Sequence, residues 1–170
     1  MANITDAPVS ELFEKFVQVT TELRRRNVIR SENNPTGDYG ELLFCRAFHW
    51  SPAPKSTSGY DAVDASGVRF QIKSRRLTSE NESRQLSAIR GSDTAPFDVL
   101  AAVLFDTNFR IIRAAKVPFE VVIRLSSSDE HVNAIRFLLT DDVWEDPEVR
   151  DVTTKLRSAE SEVLKSTSPL

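Results

Sequence analysis

The segment Phe97-Asp98-Val99-Leu100-Ala101-Ala102-Val103-Leu104-Phe105 constrains this chain more than any other. It is an almost continuous apolar run of strand length, and a strand without polar alternation must be covered on both faces. Asp106-Thr107-Asn108 then turns the chain, and Phe109 to Val117 is predicted to return as a second strand. A sheet buried on both sides needs helices from elsewhere in the chain to cover it.

The flanking sequence offers them. A helix is predicted from about Ser10 to Arg26, with Ser10 as cap and Leu12, Phe13, Phe16, Val17 and Leu23 as its apolar stripe. Glu11 and Glu14 suit its positive end, and Arg24, Arg25 and Arg26 its negative end. Asn33-Asn34-Pro35-Thr36-Gly37 breaks the chain, and a second helix is predicted from Asp38 to Phe48. Ser51 to Ser58 reads as a loop. Leu77 to Ala95 reads as a mobile surface connection with a brief helix at 82–86. Pro118 opens a short helix to about Arg124. His131 to Leu139 is expected as an edge strand. Asp146-Pro147 is expected to start a helix, capped by Asp146 and reaching Ala159. The order implies an α/β fold with a mixed sheet flanked by helices. One domain is expected over residues 1–160, with a flexible tail over 161–170.

Composition narrows the function classes. Cys45 is the lone cysteine among 170 residues, which excludes an internal disulfide and fits a reducing compartment. With only His49 and His131 beside it, a structural zinc site is not expected. No apolar run has the length of a membrane span, and the polar start lacks a secretory pattern, so a cytoplasmic protein is expected. The net charge of −3 argues against a broad nucleic-acid coat. Charge is unevenly spread, however: residues 69–90 carry +4 and residues 141–151 carry −5. A localised basic rim after residue 69 is compatible with phosphate contacts.

The chemistry lies in Gly59-Tyr60-Asp61-Ala62-Val63-Asp64-Ala65-Ser66-Gly67-Val68-Arg69-Phe70-Gln71-Ile72-Lys73. Asp64-Ala65-Ser66-Gly67 is a turn signal, with Gly67 free to adopt the left-handed conformation that closes a three-residue loop. If Asp64 faces Val68, counting outward sets Asp61 opposite Gln71, and Lys73 shares their face. Val68, Phe70 and Ile72 then turn towards the core. A carboxylate, an amide and an ammonium on one face suit a divalent metal and a phosphate. Asp64 falls on the other face and reads as a turn residue.

Asp61, nine intervening residues, then Gln71-Ile72-Lys73, preceded by Glu41 in Gly37-Asp38-Tyr39-Gly40-Glu41, resembles the PD-(D/E)XK phosphodiesterase superfamily. The Gln-x-Lys form looks most like its Mrr-type branch. Over residues 36–120 the resemblance implies a restriction endonuclease-like three-layer α/β/α core. It implies a metal-dependent nuclease acting on DNA in restriction, defence or repair, with Mg²⁺, or Mn²⁺ in its place, and no organic cofactor. Asp61 would be the main metal ligand, Gln71 would offer its amide oxygen, and Glu41 would hold a water of the ion's shell. Lys73 would orient and acidify the attacking water or stabilise transition-state charge. A homodimer would address both strands. Tyr60 stands where the family name has Pro, and Gln71 where most relatives have Glu, which removes one negative charge from the site.

Arg69, Arg75, Arg76 and Arg84 are the candidate phosphate contacts. His49 and Trp50 close a helix and read as packing, Cys45 as a buried small side chain, Trp144 as cover for a sheet edge. His131 lacks a general-base context. Two further functions compete with the nuclease: an inactive nuclease-like module that binds nucleic acid or assembles with partners, and a protein-interaction subunit.

Overall fold

The computed structural model describes residues 4–54, 57–129 and 134–170. Its helices are α1 (Val9–Arg25), α2 (Thr36–Phe48), α3 (Phe119–Leu125) and α4 (Thr153–Lys165). Its strands are β1 (Ser51–Pro52), β2 (Ala62–Val63), β3 (Arg69–Arg76), β4 (Ile89–Arg90), β5 (Val99–Phe105), β6 (Ile111–Pro118), β7 (Ser127–Asp129), β8 (Ala134–Arg136) and β9 (Arg150–Asp151). Six strands form one mixed sheet in the order β1-β2-β3-β5-β6-β9, and β4-β8-β7 form a small second sheet. The protein is an α/β fold whose six-stranded sheet packs against α2 and α4. Among the described residues no helix is long and apolar enough to cross a membrane.

β5 is the centre, as its composition requires. It runs parallel to β3 and antiparallel to β6, and Leu100 to Phe105 are all fully buried. Alternate residues feed two cores. Ala101, Val103 and Phe105 join Phe70, Ile72, Leu43, Phe44 and Leu156 under α2 and α4. Leu100, Ala102 and Leu104 join Phe97, Val121, Val122, Phe137 and Leu139 beneath α3 and the small sheet. Each fully buried Leu or Phe contributes roughly 1.5–3 kcal/mol relative to exposure.

α2 lies unusually close to β3 because Gly40 has no side chain. A Cβ there would sit 1.9 Å from Ser74 Oγ and 3.1 Å from Ser74 Cβ. α2 ends where His49 adopts the left-handed conformation, at φ 57°. The turn tucks Trp50 into the core, stacked 3.6 Å from the Phe70 ring. The chain outside the sheet holds α1 less closely, since none of its residues is buried.

Several expectations need correcting. The helix expected from Asp146 starts at Thr153. Asp146 instead folds a turn, accepting from the Glu148 and Val149 amides, and β9 follows along the edge of β6. That helix also passes Ala159 to reach Lys165, and the Leu170 amide donates to Arg26 O at 3.0 Å. Phe109 belongs to the turn, at φ 60°, so the return strand begins at Ile111. The brief helix at 82–86 is replaced by bridges Thr78–Asn81 and Gln85–Leu138. Leu86 and Ile89 in that connection are buried in the second core, which pins it across the sheet. Of the expected edge strand His131 to Leu139, residues 131–133 lie outside the described residues. Ala134–Arg136 forms the middle of the small sheet rather than an edge of the large one.

Candidate active site

The hairpin forms in the register that the turn chemistry dictates. Val63 faces Arg69 and Ala62 faces Phe70. The Asp64 amide donates to Val68 O, and Gly67 takes φ +83°. Asp64 accepts from the Ser66 and Val68 amides, which makes it the turn residue its position implies.

β2 stops after two pairs. Beyond Ala62 the strands part, and the edge of β3 opens where Asp61 leaves the ladder. The Asp61 amide still donates to Phe70 O at 2.8 Å, and its carboxylate accepts the Ile72 N–H at 2.6 Å. The side chain thus takes over a ladder bond, which fixes the carboxylate at the fork. On the other side of the fork stands α2, drawn in by the Gly40–Ser74 approach, and it brings Glu41.

Asp61 and Glu41 line one cleft of ≈ 270 Å³ together with Arg30, Ser31, Asp38 and Tyr60. Glu41 forms an ion pair with Arg30. Asp38 accepts from the Arg30 amide, the Ser31 amide and the Ser31 hydroxyl at 2.7–2.8 Å, which fixes the turn that carries Arg30. Burial holds both cleft carboxyls, Asp61 and Glu41, above their ordinary values. The repulsion of Asp61 adds to this at Glu41, and Arg30 opposes it at both. Burial holds the Lys73 ammonium below its ordinary value, opposed by the attraction of Asp61 and then Glu41. Asp61, Glu41 and Lys73 therefore share one electrostatic neighbourhood, with each charge set against its own desolvation.

Gln71 lies deeper, only 9% exposed. Its amide nitrogen donates to Gly59 O at 3.3 Å, and its Oε1 is buried without a hydrogen-bond partner. A buried carbonyl oxygen left unpaired is costly, by about 1–3 kcal/mol. Among the described residues no three His, Cys, Asp or Glu side chains cluster as a metal site. The carboxylates lining the cleft are Asp61, Glu41 and Asp38, the last already engaged by Arg30 and Ser31, while Gln71 and Lys73 are not among the cleft's lining residues. That carboxylate set fits a hard divalent ion that keeps most of its water, as Mg²⁺ does, and no thiolate or imidazole site.

The four candidate phosphate contacts have partners within the fold. Arg69 grips Asp98 with two nitrogens, at 2.8 and 3.2 Å. Arg75 holds Ser83 O and Asn81 Oδ1, and Arg76 lies over the Phe109 ring at 4.6 Å. Arg84 pairs with Asp141 at 2.9 Å. The basic tract therefore organises the 77–95 connection and meets the acidic segment 141–151 directly. Cys45 has its thiol pushed up to about 11 by burial and then by Glu41, so it is no thiolate nucleophile. Trp50 is packing, and Trp144 sits under Arg113 at 3.9 Å. His131 lies outside the described residues.

Sequence reasoning missed Arg30, and it placed Asp38 and Tyr60 in the motif without assigning them to the cleft. Asp38 was within reach, because it precedes Glu41 by three residues on one helix and so shares its face. Arg30 comes from an irregular turn with no periodicity to place it. The chain matches no model of a known protein family and no curated protein sequence.

Proposed function

We propose that this protein is a metal-dependent nuclease that hydrolyses DNA phosphodiester bonds, with its six-stranded sheet as the centre of a restriction endonuclease-like three-layer fold. The observation that carries this is the fork at β2 and β3, where Asp61, Glu41 and Lys73 come within electrostatic reach of one another, with Gln71 two residues before Lys73 on β3 keeping a buried, unpaired amide oxygen.

Asp61, Gln71 and Glu41 would hold the ion. When bound, a divalent cation supplies charge neutralisation and a more acidic water at neutral pH. The remaining work belongs to the chain. Lys73 places an ammonium where negative charge builds on the phosphoryl oxygens, and burial strengthens that interaction relative to water. Asp61 is held by the Ile72 amide, so its carboxylate is fixed at the fork before anything binds. Arg30 sets the position of Glu41 and attracts a phosphate to the cleft.

A second reading has support of its own. Glu41 is occupied by Arg30, and Gln71 replaces a third carboxylate, so the same fork also suits a nuclease-like module that binds nucleic acid without cutting it. Supercoiled plasmid separates the two. The nuclease nicks or linearises it with Mg²⁺ or Mn²⁺, stops in EDTA, and loses roughly a hundredfold or more in rate with Lys73→Ala. No cutting under either metal, with DNA retardation that weakens as salt rises, would replace the enzyme by the binding module.

A further inference from the structure

α1 is a 17-residue helix with no buried residue, yet seven of its residues are apolar. Val9 and Phe13 are each 67% exposed and Phe16 is 64% exposed, with Val17 and Val19 close behind. Val9, Leu12, Phe16, Val19 and Leu23 recur at alternating spacings of three and four, the seam of a helix that packs along its whole length against another. Phe13 and Val17 widen that seam to nearly half the circumference. The exposed part presents roughly 500 Å² of apolar surface, at the upper end of what monomers leave open.

Charge indicates what covers it. Residues 4–14 carry Asp6, Glu11 and Glu14 and no base, whereas residues 15–26 carry Lys15, Arg24, Arg25 and Arg26 against Glu22 alone. A second α1 running the opposite way would set each acidic end beside a basic end and oppose the two helix dipoles. A parallel copy would stack like on like. The polar side holds Glu11, Glu14 and Glu22 against Lys15 and Arg25, without the excess of base that an anionic lipid surface requires.

We infer that α1 pairs antiparallel with α1 of a second copy, crossing at Phe16 and making a homodimer. Centred there, Val9 meets the partner copy's Leu23, and Ile4, 64% exposed, reaches the level of residue 28. Leu23 and Val28 border an apolar cavity of ≈ 310 Å³ closed by Tyr39, Phe109, Val163 and Leu170. The start of one copy thus fills the cavity of the other. Together the two stripes bury about 1,000 Å² before the cavity is counted, near the lower bound for a specific interface. None of this depends on the nuclease reading, since α1 contributes no residue to the fork.

Light scattering of the full chain after size exclusion tests it. The expected result is twice the monomer mass for the wild type and a folded monomer, by circular dichroism, for Phe16→Glu. In a Cys45→Ser background, a mixture of Val9→Cys and Leu23→Cys proteins should oxidise mainly to the mixed disulfide. A wild type that stays monomeric to roughly 100 µM, disulfides that join only like positions, or monomers that float with phosphatidylglycerol vesicles would each overturn the pairing.

Discussion

The half-buried Asp61 carboxyl is held above its ordinary value by desolvation, and Glu41 and Lys73 are shifted by the same cause. The signs agree. The raised carboxyls favour folding most in acid, and that contribution is lost as pH rises through their raised values. The lowered Lys73 gives a contribution present above its ordinary value and lost as pH falls through its depressed one. Each group in its charged form works against its own desolvation, so the ion-free site weighs against the fold. Asp61→Asn keeps an acceptor for the Ile72 amide and removes the charge, so calorimetry should find its Tm unchanged or raised while cleavage disappears. A clear fall in Tm would show that the charge itself stabilises the fold. Protons also compete with the ion to higher pH than at ordinary carboxylates. Mg²⁺ should therefore raise the wild-type Tm more at pH 7.5 than at pH 5, and an equal increment at both would point away from these carboxyls. Gln71→Glu restores a third acid. It should tighten Mn²⁺ binding and lower the ion-free Tm, and neither change would be expected if position 71 faced no ion.

At the scale of elements, the fork exists because two short devices agree. Gly67 and Asp64 set the hairpin register, and Gly40 lets α2 approach β3 closely enough for Glu41 to reach the open edge. Gly40→Ala forces its methyl onto Ser74 and should cost about 1–3 kcal/mol in denaturant unfolding. Ser74→Ala alone should be near neutral, since the hydroxyl is buried without a partner, and should recover part of the Gly40→Ala loss. Additive losses in the double variant would mean that the close approach is not what Gly40 provides. The elements legible in the sequence were those with a local cause. The hairpin has its turn, α2 has the Pro35 break before it, and β5 has its apolar run. Those decided by partners were missed. Asp146-Pro147 looks like a helix start, but β9 claims the following residues for the edge of β6. The 77–95 connection looks mobile until Leu86 and Ile89 find the second core.

At the scale of the molecule, the fold class followed from one strand that had to be covered on both faces. Its second face, under α3 and the small sheet, could not be read, because short strands and scattered apolar residues carry no period. The juxtaposition of Asp61, Glu41 and Lys73 was legible in type and spacing, and that of Arg30, delivered by an irregular turn, was not. Arg69, Arg75, Arg76 and Arg84 read from the sequence as a surface for phosphate, and each also has a partner within the fold. The proposed function therefore rests on the fork, where groups from α2, from the residue before β2 and from β3 would act on one ion. Titrating Mn²⁺ into the ion-free protein, followed by its electron paramagnetic resonance signal, tests that most directly. The account predicts one bound ion per chain, with affinity lost in Asp61→Asn and weakened in both Gln71→Ala and Glu41→Gln. Binding that survives all three substitutions, or no binding by the wild type, would contradict it.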